Sequence, residues 1–171
     1  MNQSSSHGHD TFPALAAACI KSSSFLAARY GHRLTQSAAT GRGFTVEFTG
    51  KQVGVRVTYQ VGDPVMVYVC LLEDGRFPSP PGEIRPDTRI AMFDLSDVEA
   101  ILARNVEAPE PWYAIPTAEV LNEYSKRLHR SGATILEGDL SSVPGLQARV
   151  LEQARAAAID RWGERASDFG W

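Results

Sequence analysis

The stretch Phe44–Leu72, FTVEFTGKQVGVRVTYQVGDPVMVYVCLL, decides the fold. Its first part puts Phe44, Val46 and Phe48 on one side of an extended chain. "GKQ" turns, and VGVRVTYQ puts Val53, Val55, Val57 and Tyr59 on one side. Alternation of period two is the signature of a half-buried strand. A two-residue turn at Gly50–Lys51 sets Phe48 opposite Val53, Val46 opposite Val55 and Thr45 opposite Arg56, with Glu47 diagonal to Arg56, and the apolar sides coincide. "VGDP" then turns into VMVYVCLL (Val65–Leu72), eight residues without a charge. Val65, Val67, Val69 and Leu71 form one face of this strand, and Met66, Tyr68, Cys70 and Leu72 the other. A strand apolar on both sides is expected at the centre of a sheet. A helix covering the second face is the first reading; a partner docking on Met66 and Tyr68 is the other.

Working outward, HRLTQSAA is a candidate first strand, and "GRG" (Gly41–Gly43) is turn material. A helix is expected from about Phe12 to Tyr30, with Asp10 or Thr11 as N-cap, Pro13 in its first turn and Gly31 as its stop. "KSSS" (Lys21–Ser24) is a patch of poor helix propensity inside it. Residues 1–10 are rich in Ser, Gly and His and are expected to be disordered. Beyond the sheet, "FPSPPGEIRPD" reads as a proline-rich surface connection, and TRIAMFDL as a further short strand. Ser96 and Glu99 have capping-box spacing for a short helix ending near Arg104. Thr117 caps another helix that Gly132 stops. A last helix starts near Ser142, with Leu146, Val150, Leu151, Ala154, Ala158 and Trp162 as its apolar stripe. The expectation is a single α+β domain over 11–171: an N-terminal helix, an antiparallel meander of about four strands, then a short helix and two C-terminal helices on the sheet.

The 171 residues suffice for one core without disulfides or metal. Composition is ordinary for a globular chain, with 43% hydrophobic and 22% charged residues. No apolar run approaches a membrane span, and the N-terminus lacks the pattern of a signal peptide. No membrane association and a cytoplasmic location are therefore expected. Cys19 and Cys70 sit in apolar settings and read as buried free thiols.

The net charge of −3 hides an asymmetry. Residues 1–61 hold six Lys/Arg against two acids, a balance of +4. Residues 94–123 hold seven acids against Arg104 alone, a balance of −6. Without a basic excess, nucleic-acid binding is not expected; the acidic segment suits a basic protein surface.

Catalytic signatures are missing: there is no phosphate-binding glycine loop, nucleophile elbow or zinc-binding helix motif. His7, His9, His32 and His129 do not form a metal set, and His32 and His129 each follow or end a helix, where a partly positive ring is favoured. No catalytic residue, metal or cofactor is assigned. Asp94 and Asp97 lie around a helix N-terminus, where the dipole favours acids. Glu107 and Glu110 have no such explanation, since they flank Trp112 and Tyr113 on a proline-stiffened loop. That pattern fits a binding rim around an aromatic anchor; alternatively the two rings plug the core while the acids face water. The candidate partner-binding residues are Asp94, Asp97, Glu107, Glu110, Trp112, Tyr113, Met66 and Tyr68.

The order of elements, carried by SFLAARYGHRL (Ser24–Leu34), GVRVTYQVGDPVMVYVCLL (Gly54–Leu72) and YSKRLHRSGATILEGDLSSVPGL (Tyr124–Leu146), resembles small uncharacterised bacterial proteins of the immunity type from polymorphic toxin systems. The resemblance implies a non-catalytic inhibitor that binds a cognate toxin domain, here through a basic surface on the partner. The competing expectations are a chaperone or adaptor for a secreted effector, and a small-molecule enzyme without a recognised motif. Monomer or dimer stays open, a dimer favouring the chaperone.

Overall fold

A computed structural model describes residues 11–102 and 116–171. The fold is α+β. Two short helices, α1 (Phe12–Ser22) and α2 (Phe25–Tyr30), lead into a five-stranded antiparallel meander: β1 (Arg33–Thr40), β2 (Gly43–Thr49), β3 (Val53–Gln60), β4 (Met66–Leu71) and β5 (Met92–Asp94), in that spatial order. Then come α3 (Leu95–Leu102), α4 (Ala118–Ser131), the single turn α5 (Ala133–Leu136) and α6 (Val143–Trp162), closed by a 3-10 turn at Gly163–Phe169.

The expected long N-terminal helix is broken in two. Ser23 caps α1, its N–H donating to the Cys19 carbonyl at 3.0 Å. The weak helix formers at the break have another use. The hydroxyls of Ser22 and Ser23 reach Ser125 of α4 at 2.9 and 3.1 Å, tying the α1–α2 junction to the helix opposite. Gly31 ends α2 in the left-handed region at φ 68°.

The β2–β3 hairpin also corrects the sequence reading. Phe48 pairs with Val55, Val46 with Val57, Thr45 with Thr58, and Glu47 directly with Arg56. The turn is longer than two residues, with the Gly50 N–H donating to the Val53 carbonyl at 3.0 Å. A slip of two keeps every side chain on its expected face, which is why apolar alternation alone could not detect it.

One face of the sheet carries Val46, Phe48, Val55, Val57, Val67, Val69 and Phe93, all buried with Leu15, Leu26, Leu121, Leu128, Ile135 and Leu146 of the helices. Helix α4 is capped by Thr117, whose Oγ1 accepts from the Val120 N–H at 3.2 Å. Of the stripe foreseen on α6, only Leu146 and Ala158 are buried, and Ile159 stands open.

Strand β4 is not central. It is fourth of five, beside a β5 that offers it only three partners: Asp94 to Tyr68, Phe93 to Val69 and Met92 to Cys70. Nor, among the described residues, does a helix cover its second face. The proline-rich connection folds back after a tight Glu73–Arg76 turn, with Asp74 and Gly75 both at positive φ. It lays Phe77 on Gly54, where a Cβ would stand 2.6 Å from Phe77 Cζ. The missing side chain at Gly54 is what lets the ring reach the sheet, and Cys70 next to it is fully buried. Among the described residues the outer face is thus sealed at the Gly54–Cys70 end by one loop and left open at the other.

Candidate functional site

Three features could carry function: the outer sheet face, the acidic elements after β5, and the buried thiols and imidazoles. The outer face is the best formed. Under the Phe77 ring, Arg56 Nε donates to Glu47 Oε1 at 2.7 Å, and the guanidinium stacks 5.0 Å from the ring centroid. Arg56 also reaches the Pro78 carbonyl at 3.5 Å and the Met92 sulfur at 3.8 Å. This pair bounds the open part of the face.

Beyond it two surface basins lie side by side. One, of about 250 Å³, is lined by Gln36, Thr40, Arg42, Thr45 and Thr58 among others. The second, of about 300 Å³, is lined by Thr58, Gln60, Asp63, Pro64, Met66 and Tyr68. Thr45 and Thr58 share a hydrogen bond at 3.2 Å on the ridge between them. Hydroxyls, amides and one cation form the first basin; the second adds a thioether and a phenol. Met66 and Tyr68 are half-buried there, on the open half of β4. Burial raises the Tyr68 phenol above its ordinary range, with Asp94 adding to the shift, so the group stays a neutral donor.

Among the described residues, Asp94, Asp97 and Glu99 are engaged within the fold. Asp94, not Ser96, starts α3: its Oδ1 accepts from the Ser96 N–H at 2.8 Å and from the Ser96 hydroxyl at 2.6 Å. Glu99 does not close a capping box, because its carboxylate takes Arg127 of α4 bidentately, Nε donating at 2.8 Å. Asp97 is buried at 5% exposure and accepts from Arg149 Nε at 2.9 Å and from Gln153 Nε2 at 3.0 Å, both on α6. Asp97 is therefore an internal brace between α3 and α6 and is not offered to a partner. Glu123 lies within 4 Å of both Lys126 and Arg130. Three of the seven acids, Asp97, Glu99 and Glu123, stand beside basic side chains from later in the chain. Glu107, Glu110, Trp112 and Tyr113 lie outside the described residues.

The reactive groups are closed. Cys19 and Cys70 are buried free thiols, and burial pushes both up to about 12. His32 is 3% exposed, its pKa is lowered by burial, and neither ring nitrogen has a well-aligned hydrogen bond. His129 stacks at 4.8 Å on Phe25 and meets Arg29 Nη1 at 3.0 Å. Neither imidazole is placed with a thiol. A cavity of about 10 Å³ beside Cys19, Ser23 and Ser125 is an interior packing gap. Among the described residues no three His, Cys, Asp or Glu side chains gather to hold a metal ion, and no helix is long and apolar enough to cross a membrane.

Comparison of the chain with protein-family models, with curated proteins and with solved structures returned no match.

The sequence placed Met66 and Tyr68, with Thr45 and Thr58, on this outward face but did not single out Gln60 or Asp63, which line the same groove. Alternation gave the face of each residue. The polar outward positions of β2 and β3 beside the apolar ones of β4 already implied a partial cover.

Proposed function

We propose that this protein is a non-catalytic binding module that docks a protein partner on the open half of its outer sheet face, as an inhibitor of the immunity type. One observation carries the reading: Met66 and Tyr68, the two outward side chains at the open end of β4, line a groove of about 300 Å³ with Thr58, Gln60 and Asp63. A half-buried aromatic and a methionine rimmed by polar groups have the composition of a protein-binding surface. The neutral thiols and the enclosed His32 support a role in which no group on the chain reacts.

The acidic segment has a smaller part in this proposal than its charge alone implies, because Asp97 and Glu99 are bound internally. Asp94, adjoining Tyr68 on β5, stays at the groove's border.

The test is site-specific photocrosslinking in the native host, with the reactive group at position 68 and a control at Ile159 on α6. Capture at position 68 alone of a toxin domain that the protein silences supports the reading. A captured effector with no toxic activity transfers it to a chaperone. Capture at both positions alike, or at neither, overturns it.

A further inference from the structure

The two edges of the sheet are built differently. The β5 edge is blunted: three residues long, and followed at once by α3. The β1 edge is bare. All eight residues of Arg33–Thr40 are exposed, none is proline, and only Arg33 is charged. Edge strands usually carry several charges, proline or a cover, because their free N–H and C=O groups template further pairing. Among the described residues, the devices here are Arg33 and a bulge between Leu34 and Gln36. The centre, Gln36-Ser37-Ala38-Ala39, is neutral and small at its last three positions, so another backbone can approach closely.

Charge selects the occupant. Arg33 begins the strand beside the turn that holds Lys51, and Arg42 follows its end. Among the described residues none of these three cations makes an ion pair. A second copy pairing antiparallel would bring Arg33 of one chain to the Arg42 end of the other, and a parallel pairing would set Arg33 against Arg33. Either places like charges together.

We infer that β1 accepts, as a sixth strand, an extended segment of the partner protein with acidic side chains at both ends of a neutral stretch. Main-chain hydrogen bonds supply the attachment, and alternate side chains drop into the basin lined by Gln36, Thr40 and Arg42. The inference rests on the docking reading above and gives the partner its chemistry.

The probe is a synthetic eight-residue peptide of alternating Thr and Val between terminal Glu residues, with a Lys-ended version as control, titrated into isotope-labelled full-length protein at low salt. Amide shifts confined to Arg33–Thr40 are expected, with the Lys-ended peptide binding about tenfold more weakly. Successive residues of a strand point their N–H groups to opposite sides. One of Ser37→Pro and Ala38→Pro therefore removes an outward donor and should melt like the wild type while abolishing peptide binding; the other breaks a bond to β2. Equal binding of both peptides, binding elsewhere, binding of neither, or self-association through β1 overturns the inference. If the partner captured at position 68 binds the wild-type-like proline variant undiminished, the edge inference fails and the docking reading stands. If the Glu-ended peptide binds β1 but nothing is captured at position 68, the reverse holds.

Discussion

Glu47 and Arg56 stand directly opposite each other on β2 and β3, joined at 2.7 Å beneath the Phe77 ring, with 11% and 17% of their side chains exposed. The pair ties the sheet to the loop that seals its outer face. Removing either partner leaves a largely buried charge, and each single change, Glu47→Gln or Arg56→Met, should cost about 2 kcal/mol in denaturant titrations. The two should differ in one respect. Arg56→Met also removes the contacts to Phe77 and Pro78, so amide exchange across 77–91 should accelerate in that variant alone. Equal exchange in both would show that Arg56 does not hold the loop.

Glu99 and Arg127 form the tightest link between α3 and α4, with side chains 6% and 13% exposed. Glu99→Gln strands the guanidinium and should destabilise the domain by about 3 kcal/mol, read as a lower denaturation midpoint with unchanged slope. The alternative, a merely surface role, corresponds to a loss under about 1 kcal/mol.

Burial lowers the His32 pKa from its ordinary 6.5, with the Tyr30 and Val53 carbonyls pulling the other way. The folded chain therefore binds this proton less readily than the unfolded chain. The stability at stake is full above about 6.5 and falls as pH drops below it. Asp94, raised by burial, contributes a slope of opposite sign at lower pH. Thermal melts of wild type and His32→Leu between neutral and mildly acidic pH should show a larger acid loss in wild type. Parallel curves would mean that His32 is not the titrating group.

With both thiols pushed up to about 12, almost no thiolate exists at neutral pH, and a disulfide reagent should react with neither until the chain unfolds. Phe77→Ala uncovers Gly54 and should make Cys70, its strand partner, alone reactive, with Cys19 staying silent on α1 against α4. A wild-type thiol that labels at once would reopen the case for chemistry on this chain.

How much of this was legible beforehand differs by residue. The helix ends at Gly31 and Gly132 and the cap at Thr117 followed from local chemistry, and the meander followed from alternation at Phe44–Tyr59. The two-residue register error at Gly50 arose because pairing Phe48 with Val53 or with Val55 preserves the same faces. The break at Ser23 was visible only as weak propensity; what fixes it is Ser125, about a hundred positions away. Phe77 covering β4 left no periodic trace, since a loop side chain reaches the sheet through the absence of a side chain at Gly54. That Arg149 and Gln153 enclose Asp97, a partner-binding candidate by sequence, was hidden for a related reason. Charge summed along a segment ignores the partners Arg127 and Arg149 that folding brings to it.

The most direct measurement is calorimetric titration of the captured partner against Met66→Arg/Tyr68→Ala and, separately, Ile159→Arg on α6. Expected is at least about a tenfold loss of affinity for the first, as for removal of interface anchors, and none for the second. Wild-type affinity in the double variant, with binding lost instead in Ile159→Arg, would contradict docking on the open outer face.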